Sequence, residues 1–189
     1  MVETVPPGSL RSILDELADA SLRAHRLAEA IEERRWSMRP PQGGWSAAEC
    51  FLHLNLTSER FAPVLEQAVA RARTQGRTGT GPFRLDVVGW LLCRSLEPPY
   101  RLRTRTPPAF VPNPDGASAP KTDVMSAFDT WQSRLSAIAR DGEGLALDRV
   151  RAVSPFAAGV RYSLYSALRI IPVHQRRHLW QAEQAVSRV

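Results

Sequence analysis

Long stretches of the chain repeat apolar residues every three or four positions, the spacing that places them on one face of an α-helix. The first predicted helix begins after a cap at Ser9 and runs to about Arg35. The second follows Ser46 and Glu49, which have the spacing of a capping box, and continues to about Arg73. Each helix has one apolar face, and we expect those faces to be buried.

Two further long helices are predicted in the second half of the chain. One begins at Thr122 or Asp123 and ends at about Asp141, where a glycine follows. The other is predicted from about Tyr162 to Ser187. No stretch shows a convincing alternation of apolar and polar residues, so no strand is predicted.

Residues 74–121, between the second and third long helices, are rich in glycine and proline. One short helix is predicted within them, from Phe83 to Leu96. A connection this long can cross a whole bundle or serve as a lid, so the helices at its two ends need not be antiparallel neighbours. The pattern therefore predicts an all-α four-helix bundle with a long Pro-rich crossover between helices 2 and 3, folded as a single domain over residues 1–189.

Composition and net charge indicate some classes of protein and exclude others. With 43% hydrophobic and 23% charged residues, the chain has the composition of a globular protein. No apolar run is long enough to span a bilayer and the first residues are not those of a signal peptide, so we expect a cytoplasmic protein with no membrane partner. Two cysteines, Cys50 and Cys93, are too few for a disulfide framework. The net charge of +6 suggests nucleic acid, but the arginines are scattered, so nucleic-acid binding is not expected.

Three of the four histidines are candidate metal ligands. His174 and His178 are four residues apart on the last predicted helix, so both imidazoles project from one face and could hold one ion. His53 lies on the face of the second helix whose far half is apolar, and could complete a triad that leaves a position for water or substrate. Two alternatives stay open: His53 as a buried histidine satisfied by a hydrogen bond, and the pair as part of a polar belt. His25 is expected at the solvated rim.

Three residues near these histidines have more than one interpretation. Cys50, one turn before His53, could be a fourth ligand, a thiolate near the metal or a small buried hydrophobe. Glu49 could orient His53, although its capping role already accounts for it. Gln181 could hydrogen-bond a bound water or be a plain buried amide. The remaining residues of this stretch are expected on other faces of the helix: Arg176, Arg177 and Trp180.

The segments Trp45–Glu49, Leu52–Leu54 and His174–Gln181 together resemble the DinB-like (DinB/YfiT) superfamily, in its DinB_2 branch. Thr106–Pro112 is also similar to a segment of one bacterial subgroup. The resemblance covers nearly the whole chain and implies a four-helix bundle of up-down-down-up order. It also implies that the three histidines are metal ligands, usually for zinc or nickel, and that homodimers are common.

The residues and the resemblance together predict a metal-dependent enzyme in which the three histidines hold a divalent ion. The ion would lower the pKa of a bound water or thiol and so generate a nucleophile near neutral pH. The most specific interpretation is a transferase that uses a low-molecular-weight thiol and a small-molecule substrate. Metal-assisted hydrolysis is the second interpretation. The alternative is a non-catalytic helical bundle that binds a metal, a small ligand or a partner.

Overall fold

The computed structural model describes residues 8–100, 106–113 and 119–189, which fold mainly into α-helices. The helices are α1 (Leu10–Ala30), α2 (Glu33–Trp36), α3 (Ala47–Thr74), α4 (Val87–Leu96), α5 (Lys121–Asp141) and α6 (Leu164–Val186). A 3₁₀ turn spans Pro108–Phe110, and two short antiparallel strands are β1 (Arg151–Val153) and β2 (Arg161–Ser163). The prediction of a mostly helical protein is confirmed. None of these described helices combines the length and the apolar character needed to cross a bilayer.

The predicted starts of α1 and α3 are confirmed by their caps. The N–H of Ser12 donates to the side chain of Ser9 at 3.1 Å. At the start of α3 the N–H of Glu49 donates to the Ser46 hydroxyl at 3.2 Å, and the N–H of Ser46 donates to the Glu49 carboxylate at 2.9 Å. Both caps join residues three apart in the chain, so the local sequence contains all the information they need.

α1 is shorter than predicted, since it ends at Ala30 rather than near Arg35. Ile31 is extended (φ −88°, ψ 122°) and buried. The chain then forms α2, in which the Trp36 ring lies 5.0 Å from the ring of Phe51 on α3. The break buries Ile31 and Trp36 in one cluster with α3, a tertiary contact that the periodicity of α1 does not contain.

The starts of α4 and α5 also differ from the predictions by a few residues. α4 begins at Val87 rather than at Phe83, because the carboxylate of Asp86 caps it. α5 begins at Lys121, directly after Pro120. α4 lies within the predicted crossover, and α5 begins at its last residue. Part of that crossover, including Pro114, lies outside the described residues.

The hairpin of β1 and β2 corrects the expectation that no strand occurs. Ala152 pairs with Tyr162 in an antiparallel register, so Tyr162 belongs to a strand rather than to the last helix. α6 begins instead at Leu164, with Ser163 as its N-cap. Strands of three residues are too short to show a period of two in the sequence.

The four long helices bury two apolar clusters. α1 and α3 each pack against both α5 and α6. One cluster combines the first halves of α1 and α6 with the second halves of α3 and α5, and includes Ile13, Leu65, Leu135 and Leu168. The other combines the opposite halves, and includes Ala24, Leu54, Phe128 and Leu179.

α4 packs closely against the start of α6. A Cβ added at Gly89 would lie 2.2 Å from the Ser166 hydroxyl, so only glycine permits this approach. The inner side of α4 contributes Leu92 and Leu96 to the wall of a cavity beside α6. The crossover thus covers part of the region in which the candidate ligands lie.

Candidate metal centre

The structure brings the three candidate ligands together between α3 and α6. One ligand nitrogen each of His53, His174 and His178 lies within 4.8 Å of the other two. The ring centroids of His174 and His178 are 4.3 Å apart, as the four-residue spacing on one helix predicts. The His53 ring lies 4.3 Å from that of His178 and 5.1 Å from that of His174. The packing of α3 against α6 therefore supplies the third member of the group.

A hydrogen bond to the crossover orients His53. Its Nδ1 lies 2.7 Å from the backbone oxygen of Phe110. A carbonyl oxygen can only accept, so Nδ1 carries the hydrogen and the neutral ring presents the lone pair of Nε2 to the other histidines. Both interpretations of His53 from the sequence thus hold in part: it is buried and hydrogen-bonded, and its second nitrogen points into the group.

The distance between two of the ligand nitrogens fits a divalent ion. Nε2 of His53 lies 3.2 Å from Nε2 of His174. A tetrahedral zinc ion with bonds of about 2.0–2.1 Å separates its ligand nitrogens by roughly 3.3 Å. Nδ1 of His178 is buried and makes no hydrogen bond of normal geometry, although buried polar atoms are nearly always satisfied. The nearby Gln181 side chain acts to raise the pKa of His178 against the larger effect of burial, without completing such a bond. This three-histidine group could therefore hold a divalent metal ion.

The electrostatics keep the three rings neutral. Burial lowers the pKa of His53 to about 4, against the opposing effect of the Phe110 carbonyl. Burial also lowers the pKa of His174 and His178 well below the ordinary value, and the neighbouring histidines and Arg177 lower it further. The neutral imidazole is the form that binds a metal, so the group needs no deprotonation near neutral pH.

The residues next to His53 have structural roles. The Glu49 carboxylate accepts from Ser46 in the capping box and from the guanidinium of Arg39, so it does not orient His53. Cys50 is not part of the histidine group, and burial raises the pKa of its thiol. It fits the interpretation as a small buried residue.

The other two polar candidates lie where the sequence placed them. Oε1 of Gln181 is buried near the histidines and makes no hydrogen bond of normal geometry, so its role stays open between the two interpretations. His25 lies at a half-exposed position with Nε2 2.8 Å from the Asp129 carboxylate, which agrees with the expected rim position.

A cavity of about 900 Å³ opens beside the three histidines, which form part of its wall. This volume is within the usual range for pockets that bind small organic molecules. Its aromatic lining residues are Trp45, Tyr100, Phe156, Tyr162 and Trp180. The Trp45 ring lies 4.9 Å from the ring of His53 and 5.9 Å from the ring of His178, so the histidines have an aromatic neighbour on the cavity side.

Two residues of the cavity wall lie on a different face of α6 from the one that the sequence predicted. Arg177 and Trp180 were expected on other faces of α6, but both line the cavity. Arg177 follows His174 by three positions and so shares its face, a signal that the helical spacing contained. Arg176 does lie elsewhere, because its guanidinium contacts Glu16 on α1. Tyr100 and Phe156 lie outside the helices, where periodicity carries no information.

The contact between His53 and the crossover leads to a testable prediction. Phe110 is buried and its ring lies 4.5 Å from that of Phe156, so replacing it with alanine should release the turn that presents its carbonyl. We expect Phe110→Ala to weaken metal binding by about 10-fold to 100-fold, as for other partners that orient a ligand. Competition with a chromophoric chelator measures the affinity.

The control for this variant is Val111→Ala, at the exposed next position, which should leave the affinity unchanged. Equal affinities for Phe110→Ala and the unmodified protein would show that the turn does not orient His53.

Comparison with known families agrees with this geometry. A model described as the DinB superfamily matches residues 9–182, which include all three histidines and most of the chain. No curated protein and no solved structure gives a significant match.

Proposed function

The chain belongs to the DinB superfamily, and we propose that it is a metal-dependent enzyme in which His53, His174 and His178 hold one divalent ion, zinc or nickel. The observation that carries the proposal is the convergence of three neutral imidazoles, one with a buried nitrogen that lacks a normal hydrogen bond, at the wall of a cavity. Three protein ligands are the number that catalytic zinc sites use, because a fourth position stays open.

The chemistry that we propose is the transfer of a low-molecular-weight thiol to a small-molecule substrate. The thiol would lose its proton to solvent, its sulfur would form a bond to an electrophilic carbon, and a leaving group such as halide would depart with the electron pair of the broken bond. A divalent ion would lower the pKa of a coordinated thiol or water. The chain's own residues would bind the reactants: aromatic side chains line the cavity, and its volume has room for both a thiol and an electrophile. Metal-assisted hydrolysis is the second reaction that such a site supports.

We also propose that the four long helices form a single domain with up-down-down-up order. The two apolar clusters support this order, since the beginnings of α1 and α6 meet the ends of α3 and α5. We further propose that the protein is cytoplasmic and forms a homodimer. The other partners that we propose are small molecules.

Metal analysis of protein purified without added metal is the first test. We expect about one ion per chain, because neutral histidines held in place by folding bind without the cost of ordering them. Protein that contains no metal and takes up none on dialysis against zinc or nickel would refute the proposal.

Spectroscopy of the cobalt-substituted protein tests the thiol. We expect low-molecular-weight thiols to change the visible spectrum and to add a sulfur-to-metal charge-transfer band, because the open position accepts a thiolate. Turnover is then measured with the same thiols and a chromogenic aryl halide. A spectrum that neither thiols nor other small ligands change would favour a non-catalytic metal-binding bundle.

A further inference from the structure

In the described part of the cavity wall, the charged side chains all have the same sign. Among the described residues that line the cavity, the charged ones are Arg177 and Arg188, and none is aspartate or glutamate. The whole chain has 19 acidic residues, so their absence from this part of the wall is a local feature. A concave site lined by one sign of charge concentrates ligands of the opposite sign.

The histidine group adds to this positive potential. Three neutral imidazoles bring no negative charge, so a divalent ion held by them would keep its full charge in a buried site. Charge without compensation is costly away from water. A site with a carboxylate ligand would compensate part of that charge from the protein, whereas the described residues that line this cavity include no acidic side chain to do so.

Arg177 is held in position at the level of the histidines. It is 7% exposed, its guanidinium lies 5.5 Å from the centre of the Tyr100 ring, and Nη1 donates to the Ser95 oxygen at 3.4 Å. A guanidinium has five N–H donors in a planar fork and binds carboxylates and phosphates through two parallel hydrogen bonds. Arg177 lines the same cavity as His174 and His178, and its charge lowers the pKa of both histidines, so it lies close to the candidate metal centre.

The aromatic walls indicate the rest of the ligand. The rings of Tyr100 and Trp180 lie 4.6 Å apart, and Trp45 and Phe156 contact the histidines from other sides. The rings of Tyr100 and Trp180 contact each other, and flat apolar groups stack well against the exposed faces of such rings. We propose that the cavity binds a small organic oxyanion with an aromatic body, and that Arg177 selects for its negative charge. The part of this inference that uses the charge of the ion rests on the proposed function. The part that uses the charge of Arg177 does not.

The test compares aryl carboxylates with their primary amides, which have nearly the same shape and no charge. Binding of matched pairs such as naphthoate and naphthamide to the zinc-loaded protein is measured by calorimetry and by ligand-observed NMR. We expect the acids to bind about 10-fold to 100-fold tighter than the amides, the effect of one charge-assisted contact. Equal binding of acids and amides, or no binding of either class, would overturn the inference. An aryl phosphate in the same series shows which oxyanion the site prefers.

Variants assign the preference to Arg177. Arg177→Gln should remove most of the difference between acids and amides, whereas Arg177→Lys should keep part of it because the charge remains without the fork. Arg176→Gln is the matched control, since Arg176 is the next residue on the helix and contacts Glu16 instead. If folded Arg177→Gln protein keeps the full preference, Arg177 is not the selecting residue; should that variant fail to fold, an undiminished preference in Arg177→Lys has the same meaning.

Metal content measured on the same samples separates the two proposals. A protein that binds metal but shows no preference for acids refutes the anion inference alone. A protein without metal that still prefers acids, and loses this preference in Arg177→Gln, refutes the proposed metal centre and leaves the anion site.

Discussion

Replacing His178 with alanine is expected to reduce the metal content of the purified protein from about one ion per chain to background. His178 is 7% exposed and its ring centroid lies 4.3 Å from the rings of both His53 and His174, so it occupies the middle of the group. Loss of a partner that only orients a ligand costs about 10-fold to 100-fold in affinity. Loss of a ligand itself should exceed 100-fold, because two imidazoles on separate helices remain.

Elemental analysis and chelator competition measure this loss, and circular dichroism shows whether the fold persists. The side chain of His178 borders the cavity, so its truncation enlarges an existing space instead of opening a new void. His25→Ala is the matched control, because the fourth histidine contacts Asp129 at a half-exposed position; its metal content should be normal. Metal retained in His178→Ala would show that the ion is held elsewhere.

The convergence of the three candidate ligands could be predicted from the sequence for two reasons. Two of the histidines are close in the sequence, and the third needs only one expectation about how the helices pack. His174 and His178 are one turn apart on a helix, and no fold information is needed to place them together. His53 required one further step, the expectation that its helix packs against the last one, and the contacts of α3 with α6 confirm this step.

The wall of the cavity was much harder to predict. Tyr100 and Phe156 belong to connections, and their positions beside α6 depend on contacts between residues far apart in the sequence. The carbonyl of Phe110, which orients His53, is a backbone atom and leaves no trace in residue types. Arg177 is different, since its three-residue spacing from His174 contained the signal. The expectation that Arg177 lies on another face of α6 was wrong, because it lines the same cavity as the histidines.

The helix boundaries also divide into those that a local sequence pattern predicts and those that depend on contacts between distant residues. Ser46 and Glu49 cap α3 through contacts over three residues, and their sequence pattern predicted the start correctly. The end of α1 depends instead on the burial of Ile31 and Trp36, and the start of α6 depends on a hairpin of two three-residue strands. The periodicity of apolar residues describes one helix at a time, so it cannot predict either of these contacts.

Asp86, which no sequence pattern singled out, is the residue on which the attachment of α4 depends. One carboxylate oxygen accepts from the N–H of Gly89 at 2.8 Å and from the Ser166 hydroxyl at 3.0 Å. The other accepts from the N–H of Ser163 at 2.6 Å and from the guanidinium of Arg151 at 2.5 Å. A single side chain therefore caps α4 and joins it to β1 and to the beginning of α6.

Asp86→Ala is expected to lower the free energy of unfolding by about 3 kcal/mol, since it removes an N-cap and leaves partly buried donors without an acceptor. For a chain of this length the melting temperature should fall by roughly 6–12 °C. Asp86→Asn keeps an acceptor oxygen and should lose less. The control is Asp15→Ala, because Asp15 pairs with Arg11 on the surface and such pairs contribute about 0.5 kcal/mol or less.

The same variant separates the wall of the cavity from the metal ligands. α4 provides Leu92 and Leu96 to the wall, whereas the histidines lie on α3 and α6. In folded Asp86→Ala protein, metal content should therefore remain near one ion per chain, while binding of small ligands in the cavity weakens. A variant with unchanged melting temperature and unchanged ligand affinity would show that α4 is held by its apolar contacts and does not depend on Asp86.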